Sequence, residues 1–215
     1  DSGFHVMSST THKTLRGPRS GLILSRGIAS NPLVALDKTL ENIPTLIDRT
    51  VFPGVQGGPH MNTILAKAVA FNEALKPEFA TYSKKVIDNA KKLADELMKR
   101  DLKLVTNGTD NHLLVIDVHK SLGINGHEAE VALDAAGLTV NKNVIPDDEL
   151  PPFRPSGIRL GTPAITTRGF GVEHMSQLAE WIDTGLRNVK NEKKLAAIKA
   201  EVKELASQFP LPSDS

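Results

Sequence analysis

The sequence predicts an α/β chain in two parts, and three patterns support this fold class. Short apolar runs flanked by turn residues, such as Gly21–Leu24, are typical of β-strands. Longer stretches with apolar residues three or four positions apart are typical of helices with one buried face. From residue 101 onwards the patterns follow one another as strand, turn, strand, helix, strand, strand, helix and helix, which indicates a complete α+β domain.

The first elements are a loop, a strand and a proline-containing stretch. Residues 1–27 are predicted as a loop that carries a lysine and leads into Gly21–Leu24, which we interpret as a short buried strand. Residues 28–50 contain Pro32 and Pro44 and predict one or two short helices. The apolar residues of that stretch are Leu33, Leu36, Leu40 and Ile43.

Two helices are predicted next. The first starts near Pro59, because proline is tolerated in the first turn of a helix, and it continues through Leu75. Pro77 ends it and opens the second helix. The apolar face of the second helix comprises Phe79, Tyr82, Val86, Ala90, Leu93 and Leu97. The opposite face carries Lys84, Lys85, Lys91, Lys92 and Lys99. These lysines are most simply a solvated surface; a nucleic-acid patch is the sharper alternative, although few aromatic residues are available to stack on bases.

The second half contains the remaining strands and helices. Strands are predicted over residues 102–105 and 113–118, on either side of an Asn107-Gly108 turn. Asn125 and Glu128 have the spacing of a helix N-cap pair, and Gly137 is a natural stop for that helix. The closing helix has one apolar stripe, Leu195, Ile198, Val202, Leu205 and Phe209. The last residues, Pro212–Ser215, are predicted as a loose tail.

Composition narrows the functional classes. Lysine and arginine total 26 against 25 aspartates and glutamates, so the net charge of +1 gives no argument for binding nucleic acid or a membrane. The chain has no cysteine, which excludes a cysteine nucleophile or disulfide framework and fits a reducing compartment. We therefore expect a cytoplasmic protein; an organellar location stays open, because a targeting peptide would lie upstream of Asp1.

The spacing of histidines and acids predicts no metal site. The seven histidines are scattered, and none forms a His-Glu-x-x-His helix or a close set with carboxylates. The acids Asp147, Asp148 and Glu149 fall in a proline-rich turn and are predicted to be solvated.

The lysine at position 13 is the strongest catalytic candidate. It lies in a hydroxyl-rich loop, with His12 before it and Arg16 and Arg19 after it. Neighbouring cations favour the neutral amine, which is the form that makes a Schiff base with an aldehyde. Flanking hydroxyls can donate hydrogen bonds to a phosphate without adding charge. Taken alone, the His-Lys pair is also compatible with an ordinary exposed lysine.

Residues 10–19, TTHKTLRGPR, resemble the lysine loop of serine hydroxymethyltransferases, a family of pyridoxal 5'-phosphate enzymes, and later stretches agree with that family in the same order. The resemblance implies the PLP-dependent transferase (aminotransferase-like) fold. Residues 1–76 would be the C-terminal part of the large cofactor-binding domain, and residues 77–215 the small α+β domain. Residues 28–50 depart from the pattern, since the stretch is longer than in many bacterial members.

By resemblance, Lys13 binds pyridoxal 5'-phosphate covalently, His12 lies next to the cofactor and shapes substrate choice, Thr10 tunes exchange at the lysine, and Arg19 organises the loop near the ring. The reaction would interconvert serine and tetrahydrofolate with glycine and 5,10-methylenetetrahydrofolate, a step of one-carbon metabolism and glycine biosynthesis.

A Gly-Gly loop precedes the predicted helix near Pro59. Backbone N–H groups at such a place can hold a phosphate, and a plain tight turn is the alternative. The resemblance implies that Gly57 and Gly58 approach the cofactor phosphate from the neighbouring subunit. The protein would then be a homodimer, or a tetramer, with shared active sites.

Two stretches of the second half are predicted to bind substrates. Arg159 is placed at the end of a short strand, beside glycines that clear space, which suits a carboxylate; a structural arginine paired to an acid is the alternative. By resemblance Arg159 grips the carboxylate of the amino-acid substrate. By resemblance alone, Asn143 contacts the pterin of tetrahydrofolate, and Pro151, Pro152 and Phe153 line its slot.

Family members carry a large N-terminal portion that these 215 residues do not contain. The resemblance places in that portion the aspartate for the cofactor's ring nitrogen, a stacking histidine and a glutamate for proton transfer. We therefore expect the isolated chain to be inactive unless a complementary portion is bound. Two alternatives stay open: another enzyme of the same fold, such as a threonine aldolase, and a non-catalytic module that uses the basic helices near Lys84–Lys99 and Lys190–Lys203.

Overall fold

The computed structural model describes residues 3–28 and 39–211. The chain divides into two compact units, residues 1–79 and 80–215. The apolar positions Leu33 and Leu36 and the predicted tail Pro212–Ser215 lie outside the described residues. In the part that is described, no helix is both long and apolar enough to cross a membrane.

The first unit contains a two-stranded antiparallel sheet. Strand β1 (Val6–Thr10) pairs with β2 (Gly21–Ser25), with Thr10 opposite Gly21. The strand predicted at Gly21–Leu24 is confirmed, but its predicted burial is wrong. Ile23 and Leu24 remain 47% and 42% exposed. Because successive side chains of a strand point to opposite faces, both faces of this small sheet present apolar groups.

The helices that come after β2 follow the predicted order, and the third of them runs from the first unit into the second. Helix α1 (Thr39–Arg49) confirms a helix within residues 28–50, and Pro44 lies inside it. Helix α2 (Met61–Ala74) begins two positions after Pro59, because His60 has extended backbone angles and serves as its N-cap. As predicted, helix α3 (Pro77–Met98) begins at Pro77.

The second unit is built on a four-stranded antiparallel sheet with the strand order β3-β4-β6-β5. Its strands are β3 (Lys103–Leu104), β4 (Leu113–Asp117), β5 (Asn141–Asn143) and β6 (Gly157–Gly161). The four strands were expected from the sequence pattern, which the structure confirms. Strand β6 is central and pairs with β4 on one side and β5 on the other.

Besides α3, most of which lies in this unit, the described residues up to 211 form five further α-helices here. They are α4 (Val118–Leu122), α5 (Gly126–Ala135), α6 (Pro163–Arg168), α7 (Met175–Arg187) and α8 (Glu192–Ser207). The sequence pattern predicted neither α4 nor α6, which are both short. The predicted strand over residues 113–118 ends one residue early, because the Asp117 carboxylate accepts a hydrogen bond from Lys120 N at 2.9 Å and starts α4.

Local helix signals are confirmed. The Asn125 side chain accepts hydrogen bonds from the first turn of α5, and the Glu128 carboxylate accepts one from Asn125 N at 3.0 Å. Gly137 follows the helix with a φ of 79°, a conformation that glycine adopts without strain.

The hydrophobic core of the second unit lies between one face of the sheet and its helices. The predicted stripe of α3 is confirmed from Tyr82 to Leu97, where its apolar residues are buried. Leu195 and Ile198 of the predicted closing stripe are buried, and Val202, Leu205 and Phe209 pack against the core. Strand residues Leu114, Ile116 and Ile158 supply the sheet side of the core.

Most lysines on the outer side of α3 are paired with acids. Lys84 contacts Asp88 at 2.8 Å. Glu96 contacts Lys92 at 2.8 Å, Lys99 at 2.9 Å and Arg100 at 3.2 Å. Hydrogen bonds from Lys92, and then from Lys99 and Arg100, hold the pKa of Glu96 well below its usual range. This pairing favours the predicted solvated surface over a nucleic-acid patch.

Candidate functional site

The lysine loop connects β1 to β2 and is closed by Thr11, which is fully buried. Thr11 Oγ1 donates a hydrogen bond to Pro18 O at 2.7 Å, and Thr11 N donates to Ser20 O at 3.1 Å. Its carbonyl accepts from Gly17 N at 2.7 Å. One threonine therefore joins both ends of the loop and limits the positions that Lys13 can take.

Helix α2 supports the lysine loop from one side. A Cβ at Gly17 would lie 2.8 Å from Thr11 O and 3.1 Å from Ala70 Cβ, so only glycine fits where the loop meets the helix. Further along α2, Lys67 Nζ donates to Gly21 O at 3.0 Å, at the first residue of β2. These contacts explain why the glycine of the TTHKTLRGPR stretch is needed locally.

Lys13 and His12 have different environments within this loop. Lys13 is exposed, so its amine can be reached by a ligand. The Nδ1 atom of His12 is buried and has no hydrogen-bond partner in the described part of the chain. An unsatisfied buried nitrogen is costly, and a polar group of a bound molecule would satisfy it. Thr10 lies at the end of β1 and is half-buried.

An open cleft of about 610 Å³ in the first unit brings Arg19 together with Gly57 and Gly58. It also contains His60, which caps α2. Nothing lies within 4 Å of a Cβ built on Gly57 or on Gly58, so packing inside this unit does not require either glycine. Exposed backbone N–H groups at a helix N-terminus and an arginine suit a phosphate group. The residues present therefore fit a phosphorylated cofactor.

Arg159 lies in the middle of β6, so its predicted place at the end of a strand is wrong. Strand β6 is one of the two inner strands of the sheet. Arg159 is opposite Val115 of β4 and Asn141 of β5. Its neighbour Ile158 points into the core, so Arg159 points to the other, open face of the sheet. No carboxylate among residues 3–28 and 39–211 forms an ion pair with it. This arrangement favours a ligand-binding arginine over the structural alternative.

Asn143 shares the open sheet face with Arg159. Asn143 of β5 is opposite Gly157 of β6, and Gly157 is two positions before Arg159 in β6. Positions opposite each other, and positions two apart in one strand, lie on the same side of the sheet, so Asn143 and Arg159 point to the same face. Phe153, in the loop between β5 and β6, is 67% exposed. Pro151 and Pro152 precede it and are also exposed. The register therefore brings Arg159 and Asn143, one from each predicted substrate-binding stretch, onto the same face of the sheet.

The sequence suggested that the glycines beside Arg159 clear space. The structure contradicts this at Gly157, which is closely packed. A Cβ at Gly157 would lie 2.6 Å from Ile145 Cγ2 and 2.8 Å from Asn143 O. The missing side chain is thus replaced by the segment that follows β5. Glycine is required here for close packing, and the packing positions the stretch that contains Asn143.

Replacing Gly157 with alanine should destabilise the chain by about 1–3 kcal/mol, because the new methyl group overlaps the Asn143 carbonyl and the Ile145 side chain. Urea unfolding of the chain measures this loss. Gly21→Ala is the matched control, since nothing lies within 4 Å of a Cβ at that strand position. Equal stabilities of the two variants would contradict this packing.

Asp148 is a site residue that the sequence analysis missed, and its predicted solvation is wrong. It is half-buried, and its carboxylate accepts four hydrogen bonds. The shortest comes from Ser156 Oγ at 2.6 Å. Burial alone would raise the pKa of Asp148, but hydrogen bonds from Ser156 and from backbone N–H groups lower it to about 2. The neighbouring acids Asp147 and Glu149 are exposed, as predicted.

The depressed pKa of Asp148 predicts a specific acid sensitivity. Its ordinary value is 3.8 and its value in the folded chain is about 2. The carboxylate should therefore contribute its full stabilisation above pH 4 and lose it as the pH falls towards 2. Unfolding free energies of the chain and of Asp148→Asn, measured from pH 6 to pH 2, should converge at low pH. If the difference in unfolding free energy between the chain and Asp148→Asn stays constant with pH, the Asp148 carboxylate is not its source. The same convergence between the chain and Asp147→Asn would also contradict this explanation.

The roles of two residues, one in each unit, were found only in the structure. Thr11 hydrogen-bonds to Ser20, nine positions away, and Asp148 hydrogen-bonds to Ser156, eight positions away. Nothing in the sequence around Thr11 indicates that this threonine is buried or that it closes the loop. An aspartate followed by proline-rich sequence suggested a solvated turn rather than an anchored one. Metal ligation has no support among the described residues, where no group of three His, Asp or Glu side chains could hold an ion.

Comparison with known proteins identifies the family. The family model described as serine hydroxymethyltransferase matches residues 2–182. A serine hydroxymethyltransferase from Acidobacterium capsulatum is 50% identical over 207 residues, which is 96% of this chain and 45% of that protein. The chain thus spans about half the length of the curated relative that it matches. The chain belongs to the serine hydroxymethyltransferase family.

Proposed function

We propose that the protein containing this chain transfers a hydroxymethyl group between serine and tetrahydrofolate, with pyridoxal 5'-phosphate as cofactor. The observation that carries the proposal is an exposed Lys13 in a loop that buried Thr11 closes, in a chain of this family. When bound, the cofactor supplies an electron sink for the bond cleavage at the substrate. The chain's own residues bind and orient the reactants.

Lys13 would hold the cofactor covalently through Nζ when no substrate is bound and would release it when serine enters. His12 would use its unpartnered Nδ1 in a hydrogen bond next to the ligand. Thr10, three residues before the lysine, would tune this exchange. Arg19 would organise the lysine loop near the cofactor ring. Gly57 and Gly58, just before α2, would approach the phosphate of the cofactor that the neighbouring subunit holds.

On the second unit, Arg159 would bind the serine carboxylate through two parallel N–H donors. Asn143 would contact the pterin of tetrahydrofolate, with Pro151, Pro152 and Phe153 along the same slot. The shared sheet face of Arg159 and Asn143 supports this division of roles. We also propose that the second unit corresponds to the small domain of the aminotransferase-like fold and the first unit to the end of the large one.

Exposed apolar residues of the first unit support a dimeric assembly. On α2, Met61, Leu65 and Val69 are spaced four apart and are 67%, 68% and 54% exposed. Ile23 and Leu24 of β2 are further exposed apolar residues of this unit. Such surfaces are usually covered by further protein. We propose that the remainder of the large domain and a second subunit cover them. We also propose that the 215-residue chain alone is inactive, because the family's aspartate for the cofactor ring nitrogen, its stacking histidine and its proton-transfer glutamate belong to that remaining portion. A cytoplasmic location stays a prediction.

A chimaera tests the proposal. This chain would replace the matching part of the Acidobacterium capsulatum enzyme, which supplies the remaining portion. We expect conversion of serine to glycine that requires both pyridoxal phosphate and tetrahydrofolate, and no turnover by the 215-residue chain alone. Robust turnover without tetrahydrofolate would contradict the proposal and would favour an aldolase activity instead.

A further inference from the structure

The carboxylate of Asp148 joins distant points of the loop between β5 and β6. Its Oδ2 accepts from Ile145 N at 3.2 Å and from Ser156 N at 3.0 Å. Its Oδ1 accepts from Leu150 N at 2.9 Å and from Ser156 Oγ at 2.6 Å. The donors lie near the start, the middle and the end of the loop. One side chain therefore sets the shape of the whole segment 145–156.

The end of this segment is fixed to the rest of the second unit. Gly126 N donates to Pro155 O at 2.6 Å, and His119 N donates to Ser156 O at 3.1 Å. Ser156 is itself buried, at 3% exposure. Asp148 thus ties the open part of the loop to an anchored residue. Without the carboxylate, residues 145–153 would still follow β5 in the chain, but the hydrogen bonds that hold them to Ser156 would be lost.

Arg159 is held independently of this anchor. It lies in the centre of β6, with a paired strand on each side. The exposed Phe153, in contrast, lies in the loop that Asp148 closes. Loss of the Asp148 contacts should therefore disturb the loop much more than the position of Arg159. The two predicted substrates should respond differently.

We propose that Asp148 is a positioning residue that preorganises segment 145–156 for tetrahydrofolate and has little influence on serine. This inference rests on the proposed function, because it assigns the segment to that substrate. A loop that is already ordered before binding does not lose conformational freedom when the ligand arrives, so it binds more tightly than a loose one. Asp148 acts through the loop and need not touch the ligand.

The 215-residue chain itself tests the anchor. Asp148→Asn replaces one carboxylate oxygen with an NH₂ group, so two of the four donors would face another donor. Amide hydrogen exchange at Ile145, Leu150 and Ser156 should become about ten- to a hundredfold faster. Asp147→Asn is the control, because Asp147 is exposed and has a φ of 54°, which asparagine tolerates. Unchanged exchange in Asp148→Asn would overturn the inference.

The chimaera tests the consequence for binding. Asp148→Asn should raise the KM for tetrahydrofolate at least about tenfold. Serine affinity is measured as the serine concentration that gives half of the serine-induced absorbance change of the loaded chimaera, and this concentration should stay within about twofold. Ser156→Ala, which removes one of the four hydrogen bonds, should raise the same KM by a smaller factor. Asp147→Asn should leave both values unchanged.

The outcomes separate this inference from the proposed function. An unchanged KM for tetrahydrofolate in Asp148→Asn would overturn the positioning role, even if amide exchange increases. Equal losses for serine and tetrahydrofolate would also overturn it, because they would indicate a general structural role. If the unsubstituted chimaera shows no folate-dependent turnover, the proposed function fails first, and the assignment of the segment to tetrahydrofolate fails with it.

Discussion

Replacing Lys13 with alanine should lower serine-to-glycine turnover by the chimaera at least about a thousandfold, the scale on which loss of a covalent nucleophile acts. The side chain is exposed, and the loop is held by Thr11 and Gly17 rather than by Lys13. The substitution should therefore remove the reactive amine without unfolding the loop. Steady-state turnover at saturating serine and tetrahydrofolate measures the effect.

Lys76→Ala is the matched control for this experiment, since it removes another exposed lysine of the first unit, outside the lysine loop. It should retain the turnover of the unsubstituted chimaera. Thermal unfolding of both variants shows whether the fold is kept. Lys13→Ala with undiminished turnover would remove the chemical basis of the proposed function.

Replacing Arg159 with alanine should raise the serine concentration for a half-maximal absorbance change by about a hundredfold or more, because two charge-assisted hydrogen bonds to the carboxylate are lost. Arg159→Lys should restore only part of the affinity, because an ammonium group cannot reproduce the planar, two-pronged contact. The fold should remain intact, since the side chain lies on the open face of the sheet.

Arg154→Ala provides the comparison for charge, because Arg154 is exposed in the neighbouring loop. Its serine affinity should match that of the unsubstituted chimaera. Normal serine binding by Arg159→Ala would refute the assignment of the substrate carboxylate to this arginine. Equal weakening in Arg154→Ala would indicate a general effect of positive charge instead.

Features fixed by near neighbours in the chain could be predicted from the sequence. The Asn125–Glu128 cap and the start of α3 at Pro77 depend on contacts within one turn of helix, and both are confirmed. The stripe of α3 from Tyr82 to Leu97 was also predicted, because helical periodicity records which face is buried.

Features that depend on how loops close could not be predicted in this way. The run after Gly21 is apolar enough for a buried strand, but burial depends on which elements cover it, and the sequence pattern does not contain that information. Helix α4 was not predicted, because Asp117 is both the last residue of β4 and the N-cap of α4, so no turn residues separate the two elements. The anchoring role of Asp148 depends on Ser156, eight residues away, meeting it in space.

The candidate site shows the same division. The lysine loop could be recognised from its residues, and the structure adds the reason for its shape, namely buried Thr11 and the close approach of Gly17 to Ala70. The shared sheet face of Arg159 and Asn143 required the strand register. The separation of Asn143 and Arg159 in the sequence does not indicate that they share a face of the sheet.

The central claim is that the amine of Lys13 is the covalent attachment point for the aldehyde of the cofactor. Borohydride reduction of the chimaera loaded with pyridoxal phosphate, followed by peptide mass mapping, tests this claim most directly. We predict one label, on the peptide that contains Lys13, and no label in Lys13→Ala. A label on another lysine, or no label on the loaded protein, would contradict the account.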